Sequence, residues 1–426
     1  MPALLRRGLE TLVRPFPPQE VTSIGPEVDP AAAGMARPDV DAIWSAAEGA
    51  YASGLYPALA LCLRRRGKVI LDRAIGHARG NGPGDAADVR KVPARHDGLY
   101  CMFSASKMVT AMLVHLLDER RQVHLDDPVA HYVPEFGKKG KHRITLRHVL
   151  THRAGIPRIP PQLADPNLLG RPGDILSLLC DQAPVWRPGR RLGYHALTGG
   201  YVLAAVIERV TGKTVQQVLH DEIARPLGLG HFGYGVPPAR LRDVAENAFT
   251  GPPVVPPLSG FIKRALSVGF ADAVRISNDP RFLHAVIPAG NICTSASDAS
   301  RFMQLLLDGG AVDGGRIFEP RTIARAIAEQ SYLELDLTLG APIRYGAGFL
   351  LGSHVTSPFG LGTPKAFGHL GFTNVFVWAD PERDLAAALL TTGKPMLSPA
   401  LASLWWLLTT IARRVPRDGR RHIAGV

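Results

Sequence analysis

The stretch CMFSASKMVTAMLVHLL, residues 101–117, begins with the apolar pattern of a strand and continues with the apolar periodicity of a helix. Ser104 stands three residues before Lys107, where one pattern gives way to the other. Residues three apart on a helix are neighbours on one face, so the lysine ammonium would sit over the serine hydroxyl. Ser104 would lie in the first helical turn, where free N–H groups and the helix dipole favour developing negative charge. The pair is therefore a candidate nucleophile and base.

The spacing of this pair is weak evidence by itself, because a serine three residues before a lysine arises by chance in a chain of this length. The chain has 426 residues, ten of its 49 basic residues are lysines, and Lys107 alone has a serine at that distance. A lysine acts as a base only when burial or another cation lowers its pKa. Apolar neighbours supply such surroundings: Met102, Phe103, Met108, Val109, Met112 and Leu113. The alternative is a serine that caps the helix, followed by a solvated lysine.

The composition is that of a globular protein, with 46% hydrophobic and 20% charged residues. No apolar run reaches the roughly 20 residues that span a bilayer, and the N-terminus lacks a continuous apolar segment with a cleavage site. Scattered cysteines in apolar surroundings indicate reduced core thiols: Cys62, Cys101, Cys180 and Cys293. No two histidines stand with an acidic residue at metal-ligand spacing, so neither a metal nor a cofactor is expected. We therefore expect a cytoplasmic protein.

The net charge of +12 raises the question of a polyanionic partner. Much of this charge is local, since residues 411–426 carry five arginines against Asp418. No stretch interleaves basic and aromatic residues as a nucleic-acid surface would, so nucleic acid is not an expected partner. Residues 4–13 place apolar side chains at helical spacing with arginines beside them, a pattern compatible with weak binding to anionic membranes. The alternative for both ends is a solvated terminus or a helix docked on the body.

Strand patterns lie towards both ends of the chain, around a mostly helical middle. Strands are expected within residues 57–78, 343–352, 366–380 and 383–393. Helices are expected at residues 43–54, 104–119, 197–211, 215–225 and 398–415. This distribution predicts an α+β fold, whose antiparallel sheet is assembled from N- and C-terminal segments with a largely helical region inserted between them.

The same patterns divide the chain into an N-terminal extension, one large domain and a basic tail. The limits that we predict are 1–37 for the extension, 38–412 for the domain and 413–426 for the tail. Within the domain, residues 38–103 and 311–412 form the α/β part and residues 104–310 the mostly helical part. Residues 251–290, rich in proline and glycine, read as an irregular cap with one short amphipathic piece. Its apolar side chains are expected to line a substrate pocket: Phe261, Ile262, Leu266, Val268, Phe270 and Phe282.

Two further stretches carry polar side chains that could reach a cleft. Tyr194 stands in a glycine-flanked loop just before a helix, where a phenol can point into a cleft. His369 and Gly371 lie on a strand, where a glycine lets a ligand approach the backbone closely. Each is weak alone, because a loop tyrosine is more often core or surface and a strand histidine is more often structural.

The order of the motifs resembles that of the serine β-lactamase-like family, which includes class C β-lactamases, DD-peptidases and many esterases and lipases. The motifs are SASK, VLTHRAGIP, YHALTGGYVLAAVIERVTGK, IPAGNICTSASD, YGAGF and FGHLGFTNVFVWADPE, in that order. The resemblance runs from about residue 38 to residue 410 and implies the β-lactamase/transpeptidase-like fold. It also implies that Ser104 is acylated, that Lys107 is the lysine of the serine motif and that Tyr194 is the tyrosine of the second motif.

The resemblance extends to the third motif, which would lie on the edge strand of the sheet. His369 and Gly371 match this motif and would bind the substrate. The backbone N–H groups of Ser104 and Phe372 would form the oxyanion hole. Tyr194 or Lys107 would take the proton of Ser104, and the sequence leaves open which of the two does so, because their titrations would be coupled.

Two departures from the family pattern bear on the substrate. Penicillin-hydrolysing members usually carry asparagine two residues after the tyrosine, where this chain has Ala196, and Lys-Thr-Gly in place of the triplet that starts at His369. Loss of both polar anchors favours the esterase branch. The expected function is a serine hydrolase that cleaves small-molecule carboxylic esters through an acyl-enzyme on Ser104. The alternatives are a β-lactamase or DD-peptidase, and a non-catalytic protein that binds membranes or partners.

Overall fold

The computed structural model describes residues 11–355 and 357–418. Its strands are β1 (Thr22–Ile24), β2 (Ala58–Arg65), β3 (Lys68–Arg79), β4 (Val92–Pro93), β5 (Tyr100–Cys101), β6 (Phe232–Tyr234), β7 (Ala248–Phe249), β8 (Ile292–Thr294), β9 (Ala311–Val312), β10 (Gly315–Arg316), β11 (Ser331–Asp336), β12 (Ala341–Tyr345), β13 (Leu350–Leu351), β14 (Phe367–Gly371), β15 (Val375–Asp380), β16 (Leu385–Thr391) and β17 (Gly393–Lys394). Ten of these strands form one sheet, in the order β1–β3–β2–β16–β15–β14–β13–β12–β11, with β4 paired to β3. The α+β class and the joining of both chain ends in one antiparallel sheet are confirmed.

The helices fill the segments between the strands and cover the sheet. They are α1 (Pro18–Val21), α2 (Arg37–Ala52), α3 (Ser106–Glu119), α4 (Val129–Tyr132), α5 (Leu146–Leu150), α6 (Pro172–Asp181), α7 (Thr198–Thr211), α8 (Val215–Leu219), α9 (Leu258–Leu266), α10 (Phe270–Ile276), α11 (Pro280–His284), α12 (Ala296–Leu307), α13 (Pro320–Ile327) and α14 (Leu401–Arg414). The expected helix at 215–225 is α8 followed by a π-helical turn at His220–Ala224.

The centre of the sheet is held by the pairing of β2 with its two neighbours. The turn between β2 and β3 consists of Arg66 and Gly67, both with positive φ, which is the backbone of a two-residue hairpin that follows the strand twist. On its other side β2 pairs with β16 from Leu59↔Thr391 to Arg65↔Leu385. Every residue of β15 and β16 is buried, so both faces of the sheet are covered there. Helix α12 packs against β2, β15 and β16, and α2 packs against β3 and α14.

The largely helical middle also contains a small three-stranded sheet, in the order β5–β8–β6, which the sequence patterns did not predict. Its pairs Tyr100↔Thr294 and Cys101↔Cys293 tie the segment before Ser104 to the segment before α12. Both cysteines are buried free thiols. The strand that leads into Ser104 is therefore anchored on both sides before the chain turns.

The cap, residues 251–290, is more regular than expected, because it contains the three helices α9, α10 and α11. Glycine and proline separate these helices rather than prevent them: Gly269 precedes α10, and Pro280 opens α11. The side chain of Phe261 lies outside the described part of the chain, whereas those of Ile262 and Phe270 pack together with Val274 in a small cluster. The cap is thus a layer of short helices with its own apolar contacts.

The C-terminal helix α14 packs on the body through its leucines, while Trp405 and Trp406 are 49% and 59% exposed. Beyond it, Arg414 pairs with Asp39, and Asp418 pairs with two arginines of the β2–β3 hairpin. Residues 1–10, with most of the apolar pattern at 4–13, and residues 419–426 lie outside the described residues. Across the described ranges no helix is long and apolar enough to cross a membrane. The predicted domain limits stay a prediction.

Candidate active site

Ser104 lies in a single 3₁₀ turn, Phe103–Ala105, between β5 and α3, and not in the first turn of the helix as expected. Phe103 has a φ of +47°, a strained conformation for a bulky residue, and such strain concentrates at functional turns. The turn is held in place because the Ser106 hydroxyl oxygen accepts a hydrogen bond from the backbone N–H of Ile292 at 2.9 Å. The chain therefore presents Ser104 at a sharp bend rather than along a helix face.

Lys107 reaches back over this bend, as its spacing from Ser104 predicted. Its Nζ lies 2.9 Å from the Ser104 Oγ and donates a hydrogen bond to the Ala289 carbonyl oxygen, also at 2.9 Å. The lysine is buried, and burial holds the pKa of its amine well below the ordinary value. A buried lysine with a lowered pKa loses its proton more easily than an exposed one, and the lone pair of the neutral amine can accept the proton of the serine hydroxyl.

Tyr194 completes a three-residue group with Ser104 and Lys107. Its side chain interacts with that of Ser104, and its ring centroid is 4.8 Å from the Lys107 Nζ. Burial raises the pKa of the Tyr194 phenol, and the Ser104 side chain opposes that rise to a smaller extent. The phenol therefore stays protonated at neutral pH. It is placed to donate a proton or a hydrogen bond more readily than to remove the serine proton.

The third predicted motif lies on β14, which is not the edge strand that was expected. Strands β13, β12 and β11 continue the sheet beyond β14. The sequence patterns predict a strand at β12 and β13 but none at β11. Strand β13 pairs only with Phe367 and Gly368, so its register stops short of His369–Gly371. The half of β14 that carries the motif thus faces the Ser104 turn without β13 beside it.

Gly371 lies against the nucleophile turn. A Cβ at this position would lie 2.1 Å from the Met102 carbonyl oxygen, so a side chain here would force β14 away from the nucleophile turn. The substrate-binding role of Gly371 stays a prediction. His369 is buried, with its Nδ1 2.6 Å from the Leu370 carbonyl oxygen and its ring centroid 6.2 Å from that of Tyr194.

The turn after β14 brings Phe372 beside the Ser104 turn. Phe372 and Thr373 have φ values of +30° and +74°, so this second turn is strained as well. The rings of Phe103 and Phe372 lie 5.1 Å apart, and Ser104, Phe372 and Thr373 all line one cavity. The two backbone segments that were expected to supply the oxyanion hole are therefore neighbours.

That cavity, the apolar pocket, has a volume of about 420 Å³ and opens on Ser104. Its wall includes side chains from the cap and from the segment 159–169, and most of them are apolar: Ile159, Leu163, Leu169, Leu258, Ile262, Leu266, Val268, Phe270, Ile276, Phe282, Phe372 and Met396. No lysine or arginine belongs to the part of this wall that the structure describes. Burial lowers the pKa of the His369 imidazole to about 3, so His369, which also lines the pocket, carries no charge at neutral pH.

Four buried polar residues around Tyr194 were not recognised in the sequence. The Asp336 carboxylate accepts hydrogen bonds from the Tyr194 backbone N–H at 3.1 Å, from two N–H groups of its own turn, and from the Tyr345 hydroxyl at 3.2 Å. The His152 ring lies between those of Tyr194 and Tyr345, and its Nδ1 accepts the backbone N–H of His195 at 3.2 Å. The sequence Asp-Leu-Thr-Leu-Gly, which starts at Asp336, is a turn signal, whereas no local pattern marks the two histidines.

The geometry agrees with comparisons to known proteins. The family model described as Beta-lactamase matches residues 43–408. The chain belongs to the Beta-lactamase family. It is therefore a serine hydrolase with the β-lactamase fold. Among the described residues, no group of three His, Cys, Asp or Glu side chains is arranged to hold a metal ion.

Relatives of this β-lactamase-family chain include proteins named for esterase and for penicillin-binding activity. "Esterase/beta-lactamase LipL" of Mycobacterium tuberculosis is 30% identical over 315 residues, covering 70% of each chain. The structure of a family VIII carboxylesterase superposes with a TM-score of 0.74 at 26% identity, over 89% of this chain and 99% of that one. A penicillin-binding protein homologue from Caulobacter crescentus gives a TM-score of 0.75 at 26% identity, with the same coverage.

Proposed function

We propose that the protein hydrolyses uncharged carboxylic esters through an acyl-enzyme on Ser104. The observation that carries this proposal is the position of the partly buried Ser104–Lys107 contact at the end of an apolar pocket without a cationic wall residue. A nucleophile with a neutral base beside it supplies acyl transfer, and an apolar pocket supplies binding energy for an acyl chain or an alcohol group.

In the acylation step, the neutral Lys107 amine accepts the Ser104 proton as Oγ forms a bond to the ester carbonyl carbon. The lowered pKa of Lys107 and the raised pKa of Tyr194 both favour the lysine in this role over the tyrosine. When the tetrahedral intermediate collapses, the C–O bond to the alcohol breaks, and the proton passes to the leaving oxygen. Tyr194, whose side chain lies beside Ser104 and Lys107, is the residue that would relay that proton.

The oxyanion of the intermediate would be held by the backbone N–H groups of Ser104 and Phe372. Each belongs to a strained turn, and the close approach of Gly371 to Met102 keeps the two turns together. Preorganised donors of this kind cost no reorganisation during the reaction, and loss of one typically lowers the rate by about 10²–10³. Water then attacks the acyl-enzyme while Lys107 accepts a proton from it. The bond between the acyl carbon and Ser104 Oγ breaks, the proton returns to Oγ, and the carboxylic acid leaves.

A β-lactamase or DD-peptidase activity is the second candidate, and the name of the LipL relative couples it with esterase activity. Substrates of those enzymes carry a carboxylate, which needs a cation or several donors near the nucleophile. Here Ala196 and the uncharged His369 stand at the two positions where penicillin-hydrolysing members usually carry such anchors, and both line the apolar pocket. We therefore expect β-lactams to acylate Ser104 slowly or to turn over poorly.

The test is a comparison of p-nitrophenyl esters of increasing acyl length with a chromogenic cephalosporin, for the wild type and for Ser104→Ala. We expect saturable hydrolysis of the esters, a kcat/KM for the cephalosporin at least about 100-fold lower, and loss of both in the variant. A fluorophosphonate probe should label the wild type and not the variant. Preferential cephalosporin turnover would replace the proposal by the second candidate, and an unlabelled wild type would favour a non-catalytic role.

A further inference from the structure

Behind Lys107, on the side away from the apolar pocket, lies a second and much smaller cavity. This rear cavity has a volume of about 30 Å³, which is room for one or two water molecules. Its wall includes Lys107, Thr110, His152, His195 and Gly199, together with apolar atoms of neighbouring residues. Lys107 therefore separates the rear cavity from Ser104, which lines the apolar pocket.

His195 is the polar group in this wall that is left without a partner. The residue is 1% exposed, and neither ring nitrogen makes a hydrogen bond within the described part of the chain. The Val149 backbone lies near the ring but outside hydrogen-bond geometry. A neutral imidazole has one N–H to donate and one lone pair to accept with, and buried polar groups are almost always satisfied by protein or by ordered water. The ring therefore needs a small polar molecule within the rear cavity as its hydrogen-bond partner.

Ionisable groups from several elements surround His195 and Lys107. His152 follows α5, Tyr194 precedes His195 in the loop before α7, and His369 comes from β14. Burial lowers the pKa of the His195 imidazole to about 3, and it lowers that of His152 as well, so both rings are neutral at neutral pH. The described residues form no ion pair with Lys107, so no side-chain anion fixes the direction of its amine.

We propose that the rear cavity is a binding site for ordered water and that His195, acting through this water, positions the Lys107 amine for proton exchange with Ser104. The water donates to or accepts from the His195 ring and contacts the amine from behind. The Ala289 carbonyl accepts one amine hydrogen, so a second contact from the rear directs the lone pair towards the Ser104 hydroxyl. His195 is thus a positioning residue rather than a catalytic one, and this inference rests on the proposed function only for its effect on rate.

The first test is structural and needs no substrate. A high-resolution crystal structure of the wild type should show electron density for water within hydrogen-bond distance of a His195 ring nitrogen. In Gly199→Ala the new methyl group would lie 3.3 Å from His195 Nδ1 and occupy part of the cavity, so this density should be lost. A Cβ at Gly49, also in a helix, meets nothing within 4 Å, so Gly49→Ala is the matched control. A dry rear cavity in the wild type would overturn the proposal.

The second test separates positioning from a purely structural role. For His195→Leu and Gly199→Ala, we expect the rate of Ser104 labelling by a fluorophosphonate to fall about tenfold at its plateau. Its acid limb should move about 0.5–1 pH unit lower, because an ammonium without water behind it is less well solvated and loses its proton more easily. His195→Gln keeps a donor and an acceptor and should restore the rate to within about threefold.

The outcomes of these tests are distinguishable from failure of the proposed function. If the wild type is not labelled, the ester hydrolase proposal fails, while the electron density still decides whether water occupies the rear cavity. If the wild type is labelled and the pH profiles of His195→Leu and Gly199→Ala match that of Gly49→Ala, Ser104 chemistry stands and the positioning role of His195 is contradicted. Equal losses in His195→Leu and His195→Gln would also contradict it.

Discussion

The rear cavity and the apolar pocket meet at the Ser104–Lys107 contact, yet their walls differ in chemistry and in construction. The wall of the rear cavity is small and carries four polar side chains among apolar ones, two from helix α3 and two from the loops that hold His152 and His195. The apolar pocket is about 420 Å³ in volume and is lined by short helices of the cap. This difference indicates that proton transfer depends on a few atoms held within hydrogen-bond distance. Substrate preference, in contrast, depends on many interchangeable apolar contacts.

The largest effects should come from the three residues at the junction. Ser104→Ala, Lys107→Ala and Tyr194→Phe should each lower kcat/KM for short activated esters by about 10⁴-fold or more, because nucleophile and base act as a unit. The measurement is steady-state hydrolysis of a p-nitrophenyl ester, with a melting curve for each variant.

Exposed residues of the same types provide the controls for these three variants: Ser177→Ala, Lys138→Ala and Tyr332→Phe should retain wild-type rates. Full activity of Ser104→Ala with an unchanged melting curve would contradict the assignment of the nucleophile. The comparison of the rear cavity with the apolar pocket would then lose its basis, because both are defined by their position relative to Ser104.

The next largest effect should come from Gly371→Ala. This substitution would displace β14 from the Ser104 turn and would leave the side chains of Ser104, Lys107 and Tyr194 unchanged. The added Cβ would collide with the Met102 carbonyl oxygen, so the strand and the Phe372 N–H must move away from Ser104. Loss of one oxyanion donor corresponds to about 10²–10³ in kcat.

The matched control for this variant is Gly315→Ala, in a strand where an added Cβ meets no atom within 4 Å. Wild-type kcat in Gly371→Ala would show that the approach of β14 to the nucleophile turn is not needed for catalysis.

A smaller and more selective effect is expected from the cap. Ile262→Ala, Phe270→Ala and Phe282→Ala enlarge the apolar pocket, so the ratio of kcat/KM for an octanoyl ester to that for a butyryl ester should rise about 3- to 10-fold. The three substitutions should affect the preference for acyl length more strongly than they affect stability, which the melting temperature reports. Val255→Ala, at an exposed position of the same segment, is the control. An unchanged ratio in all three pocket variants would make the cap a covering layer only.

The smallest expected effect concerns the two ends of the chain. Each basic residue near an anionic surface contributes about 1 kcal/mol, so weak binding to anionic vesicles should appear at low salt and fade as salt rises. The ion pairs of Arg414 with Asp39 and of Asp418 with the β2–β3 hairpin use part of the charge of the tail, which favours weak rather than tight binding.

Cosedimentation with liposomes measures this association, and removal of residues 1–20 and 413–426 should reduce it. The exposed Trp405 and Trp406 belong to neither segment, and Trp405→Ala with Trp406→Ala tests whether they contribute. No binding to anionic vesicles at low salt would leave the protein without a membrane role.

Local patterns predicted the parts of the molecule that are decided by near neighbours in the chain. The β2–β3 hairpin, helix α3 and the contact of Ser104 with Lys107 follow from periodicity and from three-residue spacing. The glycines and prolines of the cap predict an irregular segment, but in the structure they separate helices of five to nine residues.

Residues that meet only in the folded chain were not accessible to such patterns. Tyr194 was placed near Ser104 only by the family resemblance, and Asp336, which holds the Tyr194 backbone, is 142 residues away from it in the chain. The edge-strand prediction for His369 was wrong because the hairpin of β11 and β12 extends the sheet beyond β14. His195 looked like any loop histidine, since its burial and its lack of partners exist only in the tertiary structure.

The central claim is that Lys107 is a neutral amine that activates Ser104, and the pH dependence of covalent labelling tests it most directly. The rate at which a fluorophosphonate labels Ser104 should reach its plateau well below pH 10.5, because burial holds the pKa of Lys107 well below its ordinary value of 10.5. Lys107→Ala should remove this limb together with most of the rate. A labelling rate that keeps rising through pH 9 to 10.5, or one unaffected by Lys107→Ala, would contradict the account.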